Sequence, residues 1–300
     1  MTTMPGSDRR LIVAPTTEPI IDRTVCAMCG DALRGKRSKE HVFPSWLLRH
    51  FDKTFEPFGV CRTDDATGEI HQEREFVMNN LLAGRICGPC NQGWMSELEN
   101  QAEGLVLDTA SRSRALDRLD PAERLILSRW LVKTAFTARC AAPGPQLVSP
   151  EQAGELVDGT VPAVRVIGRQ SSVDLGLAWR TTQQWLIRYP GSARVDAARR
   201  VGSSQKTILT IGYAVFAVCF WPDPAWPMTI SAPSHTPLWP LDAEWLTYPG
   251  ATDSHGVKPT RETEIIDMVV GIGIAHPTCR SAFEALGPVR AEMAKDYSTK

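Results

Sequence analysis

The stretch Cys87-Gly-Pro-Cys90-Asn91-Gln-Gly-Trp-Met-Ser, together with Cys26-Ala-Met-Cys29, decides how the N-terminal part of this chain folds. The two CxxC pairs are separated by 57 residues, and they supply four thiolates, which is the ligand set of a tetrahedral zinc site. Paired cysteines in a chain of this size indicate a metal site rather than a disulfide framework. We predict that the four cysteines bind one structural Zn²⁺. The alternatives are that the pairs share no ion, or that CxxC is a redox motif.

An acidic residue and a histidine lie between the two pairs, in the segment Glu40-His41-Val-Phe-Pro44. An isolated histidine is more often a packed or surface residue than a catalytic one, but here an acidic residue precedes it, a proline follows three residues later, and a cysteine pair comes before both. Adjacent side chains on a strand point to opposite faces, so Glu40 and His41 can reach one ion only where the strand bends or bulges. The segment therefore predicts a candidate active site within the part of the chain that the cysteines enclose.

The motifs CAMC, SKEHVFPSWLL and ICGPCNQGWMSELEN occur in the order found in the zinc-containing HNH endonuclease superfamily, which the chain resembles over residues 23–103. The resemblance implies a ββα-metal module that hydrolyses phosphodiester bonds in DNA. It implies that His41 is the general base and that Glu40 and Asn91 hold one catalytic divalent ion. Oxygen ligands favour Mg²⁺ or Mn²⁺ for that ion. The structural zinc ligands would be the four cysteines, Cys26, Cys29, Cys87 and Cys90.

Two positions depart from the pattern of that family. The middle asparagine of the signature lies about five residues before the second CxxC pair, where this chain has Leu82. Asn79 and Asn80 lie eight and seven residues before Cys87, so either could serve as the middle asparagine only if the loop is longer, and whether one of them does is open. A histidine that is common four residues after Asn91 is replaced by Met95. Asn91 itself also has an alternative role, as a helix cap.

The remainder of the chain predicts helices followed by strands. Asp120-Pro-Ala-Glu123 is a capping-box-like start for a helix that extends to about Cys140, and a short helix is expected near 150–157. Residues 263–275 are a strand or a buried helix, and 279–296 are helical. Four apolar segments have the composition of strands: VPAVRVIG, LGLAWRTT, QWLIRYP and KTILTIGYAVFAVCFW.

These patterns predict an α+β fold with four parts. Residues 1–22 are a loosely ordered lead, 23–103 the zinc-stabilised ββα-metal (HNH) module, and 104–145 a helical connector. The last part, 146–300, is a mostly antiparallel α+β domain whose role the sequence leaves open. The long apolar run Thr207–Trp221 is too short for a membrane span and is expected to form one or two buried strands.

The charge distribution and the targeting signals limit the partners and the cellular location that we expect. The formal net charge is −1, yet residues 23–53 carry seven Lys and Arg against three Asp and Glu, a local basic excess that suits a DNA backbone or is a solvated surface cluster. No secretory signal is visible, so we expect a cytoplasmic protein with DNA as substrate and no membrane partner. The alternative functions are a zinc-stabilised module that binds nucleic acid or protein without cutting, and a structural or regulatory protein. The oligomeric state is open.

Overall fold

A computed structural model provides the structure of the protein. It describes residues 24–33, 38–63, 70–141, 150–162, 164–182, 186–188, 204–220, 229–232, 235–241, 246–247 and 272–275. The predicted lead 1–22, the predicted helix 279–296 and four of the basic residues of 23–53 (Arg23, Arg34, Lys36 and Arg37) lie outside these ranges.

The N-terminal part contains a short helix, a hairpin and a long kinked helix. Helix α1 (Ser45–His50) is followed by strands β1 (Pro57–Thr63) and β2 (Ile70–Val77), which form a two-stranded antiparallel sheet that the sequence analysis did not predict. A 3-10 turn, Met78–Asn80, leaves this hairpin. The long helix consists of α2 (Gly88–Cys90), a π-helical turn (Asn91–Met95) and α3 (Ser96–Ala110). Its kink lies at Gly93, whose φ of −93° and ψ of −117° are not helical.

The predicted capping box starts helix α4 (Pro121–Ala141). The Asp120 backbone N–H donates to the Glu123 carboxylate at 2.9 Å, and the Glu123 N–H donates to Asp120 Oδ1 at 2.9 Å. These reciprocal bonds satisfy two donors that would otherwise be unpaired, and they confirm the predicted helix start. Helix α5 (Pro150–Val157) confirms the short helix expected near 150–157.

A five-stranded antiparallel sheet lies against α4. Its strands run in the order β4-β6-β7-β3-β9. All residues of β6 and β7 are buried, which confirms the expectation of buried strands in the long apolar run. Phe136 of α4 packs edge-on against Phe220 of β7, with ring centroids 5.9 Å apart. The strands are β3 (Val164–Gln170), β4 (Leu177–Thr182), β6 (Gln205–Ile211), β7 (Ala214–Phe220) and β9 (Thr236–Trp239).

A second, four-stranded sheet is mixed, in the order β10-β8-β11-β5. The pairs β10–β8 and β11–β5 are parallel, and β11–β8 is antiparallel. The buried Lys206 of β6 donates to the Ile272 carbonyl at 2.9 Å, which ties the two sheets together. The mixture of helices and largely antiparallel sheets agrees with the predicted α+β class. The strands are β5 (Leu186–Arg188), β8 (Thr229–Ser231), β10 (Leu246–Thr247) and β11 (Gly273–Ala275).

The turn between β6 and β7 joins the sheet to the N-terminal part. The Tyr213 N–H donates to the Ala110 carbonyl, the last residue of α3, at 2.8 Å. Gly212 has φ +56°, and a Cβ there would lie 2.8 Å from the same carbonyl oxygen, so both dihedral and space require glycine. One buried core extends from Cys26 to Leu238, with α4 between its two halves. Among the described residues, no helix is both long and apolar enough to cross a membrane.

Candidate metal centre

The four predicted cysteine ligands come together in space. The Sγ atoms of Cys26, Cys29, Cys87 and Cys90 all lie within 4.8 Å of one another. Four sulfurs placed about 2.3 Å from one tetrahedral ion are about 3.8 Å apart. The Sγ atoms of Cys29 and Cys87 are 3.7 Å apart, close to that spacing. The cluster could therefore hold a structural metal ion such as zinc, as the spacing of the pairs predicted.

Two tight turns present these sulfurs. The Gly30 N–H donates to the Cys26 carbonyl at 3.0 Å, and Gly30 has φ +78°, a conformation that glycine adopts without strain. Cys87 occupies the N-cap position of α2, and its Sγ accepts the Cys90 N–H at 3.4 Å. The Ala27 N–H donates to the Arg85 carbonyl at 2.8 Å and so joins the two turns directly.

Hydrogen bonds to sulfur favour thiolates in part of the cluster. Cys26 Sγ accepts the backbone N–H groups of Met28 and Cys87, each at 3.4 Å. A hydrogen bond from Cys90, with these backbone bonds, lowers the pKa of the Cys26 thiol to about 4, and the same bond raises the pKa of Cys90. Burial raises the pKa of Cys29 to about 12. A bound cation would stabilise the thiolates of Cys29 and Cys90, and its binding would release their protons.

The Glu40-His41 segment is paired with the chain that leads into the second cysteine turn. His41 and Leu82 form an antiparallel bridge. The Ala83 N–H donates to the Glu40 carbonyl at 2.8 Å, and the Val42 N–H donates to the Leu81 carbonyl at 3.1 Å. His41 is half-buried, whereas Glu40 is only 5% exposed. The two neighbouring residues thus differ in environment, as side chains on alternate faces of an extended segment do.

The carboxylate of Glu40 contacts a buried lysine. Lys133 Nζ, on α4, forms ion pairs with Glu40 Oε1 and with Glu99 Oε1 of α3, the latter at 2.5 Å. Burial would lower the pKa of Lys133, but the two carboxylates outweigh it and raise that pKa. Burial raises the pKa of Glu40 against the attraction of Lys133. Lys133 was not among the residues predicted from the sequence, although a lysine within the apolar run Trp130–Ala138 is a signal of a buried charge that needs partners.

Asn91 directly follows the last cysteine and lies inside the helix. Its φ of −63° and ψ of −50° are helical, and its N–H donates to the Cys87 carbonyl at 3.1 Å. The N-cap position belongs to Cys87, so the alternative role of Asn91 as a helix cap is wrong. Asn91 starts the π-helical turn, a type of distortion that is frequent at functional sites.

The structure therefore brings the four cysteine side chains together, whereas the binding of a catalytic ion by Glu40 and Asn91 stays a prediction. Within the described part of the chain, the four cysteines form the one group of three or more His, Cys, Asp and Glu side chains that are close enough to share an ion. Leu82 occupies the position opposite His41, while Asn79 and Asn80 lie in the 3-10 turn before it. Neither Asn79 nor Asn80 therefore lies opposite His41.

The chain matches no family model, no curated protein and no solved structure.

Proposed function

We propose that the protein is a metal-dependent endonuclease of the HNH type that hydrolyses phosphodiester bonds in DNA. In this proposal His41 is the general base, Glu40 and Asn91 hold one Mg²⁺ or Mn²⁺ ion, and the four-cysteine cluster holds a structural zinc ion. The proposed ββα-metal module comprises residues 23–103.

The antiparallel bridge between His41 and Leu82 is the observation that carries this proposal. Leu82 stands five residues before Cys87, which is the position of the middle asparagine in the signature that the chain resembles. The bridge therefore pairs two extended segments of which the second leads into the long helix, and this is compatible with the ββα order. Helix α1 and the hairpin β1–β2 lie between the two segments along the chain. The middle asparagine of the signature braces this pairing in the family that the chain resembles. Here the backbone hydrogen bonds of Glu40 and Val42 to the segment 81–83 hold the pairing instead.

The chemistry assigned to these residues is that of phosphodiester hydrolysis. His41 takes a proton from a water molecule, and the oxygen of that water attacks phosphorus while the bond from phosphorus to the leaving oxygen breaks. Lys133 contacts one oxygen of the Glu40 carboxylate, Oε1, and the proposal assigns the other oxygen to the ion. The amide oxygen of Asn91 offers a second oxygen ligand. A divalent ion bound there would relieve the charge on the leaving oxygen.

The ion pair between Glu40 and Lys133 favours a second candidate function. A carboxylate that contacts a buried ammonium is a weaker ligand for a metal ion than a free one, so the module could bind nucleic acid or protein without cutting. In that case the cysteine cluster would stabilise the fold and His41 would have no catalytic role.

Cleavage assays separate the two functions. Supercoiled and linear DNA are incubated with the wild type, His41→Ala and His50→Ala, with Mg²⁺ or Mn²⁺ and with EDTA. His50 is exposed at the end of α1, so it serves as the matched control. We expect metal-dependent cleavage by the wild type and by His50→Ala, and none by His41→Ala, with equal zinc content in all three. Binding of DNA without cleavage by the wild type would favour the binding module.

A further inference from the structure

A fully buried lysine lies behind the segment that carries His41. Lys133 has no exposed surface, and the side chains of its partners are 7% exposed for Glu40 and 20% for Glu99. The ammonium is thus the innermost of three charged groups. Because a buried charge without a partner is very costly, the positions of Lys133 and Glu40 depend on each other.

A second residue of α4 contacts the same segment on the other side of His41. Thr137 follows Lys133 by four residues, which places the two side chains on one face of the helix. The Thr137 hydroxyl lies 3.5 Å from the Val42 carbonyl oxygen and also donates to the Thr134 carbonyl at 2.9 Å. Helix α4 therefore contacts the side chain of the residue before His41 and the carbonyl of the residue after it.

The main chain at Glu40 and Val42 is also bonded to the strand-like segment 81–83, so the residues on both sides of His41 are held by that segment and by α4. We infer that Lys133, together with Thr137, is a positioning residue for His41. The ion pair fixes Glu40, and Glu40 in turn fixes the direction of the next residue. Its meaning for catalysis rests on the proposed function, whereas the orientation of His41 can be measured without cleavage.

Loss of the ammonium should displace His41. A buried Glu40 carboxylate without its cation is expected to turn towards solvent, and that turn would move the backbone on which His41 is carried. Misplacing a catalytic group by about 1 Å can cost on the order of 10²-fold in rate. A group that orients a metal ligand typically contributes roughly 10- to 100-fold.

The test compares Lys133→Met/Glu99→Gln with Glu99→Gln and the wild type, all as full chains. The double variant keeps the net charge of the three groups, since it loses one positive and one negative charge, and it leaves Glu40 without a cation. The first readout is the rate at which diethyl pyrocarbonate modifies His41 relative to His50, measured by peptide mass spectrometry. The exposed His50 is an internal reference in the same molecule. The second readout is the single-turnover cleavage rate at saturating Mn²⁺ and saturating DNA.

We expect the His41-to-His50 ratio to change several-fold in the double variant and to stay unchanged in Glu99→Gln, with zinc retained in both. Cleavage by the double variant should fall roughly 10- to 100-fold at saturation, with little change in the DNA concentration needed. An unchanged ratio in a folded, zinc-containing double variant would overturn the inference. If the double variant does not fold, Lys133→Gln/Glu99→Gln takes its place, because it also removes the ammonium but keeps a polar side chain at residue 133; an unchanged ratio there rejects the positioning role of Lys133. Thr137→Val tests the contribution of Thr137 separately, and an unchanged ratio there rejects that contribution.

The two proposals fail in different ways. If the wild type does not cleave DNA but the ratio still shifts, the nuclease function is rejected and the positioning of His41 stands. If the wild type cleaves, and neither ratio nor rate changes in the variants, the nuclease function stands and the positioning role is rejected.

Discussion

Replacing Lys133 by methionine should cost about 3–5 kcal/mol of the free energy of unfolding at pH 7, the range for removing one partner of a buried ion pair. A loss of stability in this range is expected because Lys133 has no exposed surface and contacts two carboxylates. Methionine has a similar length and fills most of the same space, so the change tests the charge rather than the packing. A loss of this size is a large share of the stability of an ordinary domain.

An exposed ion pair in the same chain supplies the matched control. Lys53 pairs with Glu56, and their side chains are 31% and 47% exposed. Lys53→Met should therefore cost no more than about 1 kcal/mol, the upper value for exposed pairs. The same substitution at two sites isolates the effect of burial.

The pH dependence has a definite sign. Burial already raises the pKa of Glu40 above its usual 4.5, and Lys133 opposes that rise. Without Lys133 the pKa rises further, so the folded state is penalised at any pH where the carboxylate would be charged. A carboxylate with a raised folded pKa loses this penalty as the pH falls through that pKa. The deficit of Lys133→Met relative to the wild type should therefore shrink on acidification.

Urea unfolding followed by tryptophan fluorescence measures these differences, with equal zinc in every sample, near pH 7 and again near pH 5. Circular dichroism should first establish that Lys133→Met is folded in the absence of urea. A loss as small as that of Lys53→Met, or a deficit that grows on acidification, would refute the argument that Lys133 is a buried partner of the two carboxylates.

Three further outcomes are expected. Purified protein should contain one zinc per chain, and chelation should unfold the region around the cysteine cluster; a fully folded, zinc-free protein would contradict this. Asn91→Ala should raise the metal concentration that gives half-maximal cleavage. Its melting temperature should stay near that of the wild type, because Asn91 lies inside the helix and is not its N-cap. If the metal concentration for half-maximal cleavage is unchanged, Asn91 is not a ligand of the ion. Gly212→Ala should cost about 1–3 kcal/mol of the free energy of unfolding because Gly212 has a positive φ, and the new Cβ would also clash with the Ala110 carbonyl. Gly104→Ala should instead stabilise the protein by up to about 1 kcal/mol, because Gly104 lies within α3 with open space around its Cβ position. Similar shifts of the melting temperature for both variants would contradict the requirement for glycine at 212.

Hairpin β1–β2 shows why part of the fold was not predictable from the sequence. Its second strand, IHQEREFV, is mainly polar and lacks the apolar alternation of a half-buried strand. Phe58 and Phe76 stand opposite each other in the register, and Phe58 stacks on Trp179 of β4 with ring centroids 5.0 Å apart. A contact between residues so far apart along the chain leaves no local pattern, so only the folded molecule reveals what the hairpin packs against.

Local signals determined much of the rest. The spacing within each CxxC pair predicted the cysteine cluster, since each turn needs only four residues to aim two sulfurs at one point. The Asp120 and Glu123 pair predicted the start of α4 because both hydrogen bonds of a capping box lie within one helical turn. The apolar run that contains most of β6 and all of β7 predicted buried strands, whereas the burial of the polar residues at the start of β6 was not predicted. The tertiary structure alone decided that Leu82 lies opposite His41 and that Lys133 lies behind Glu40, because pairing register and burial of a charge depend on contacts between segments distant in sequence.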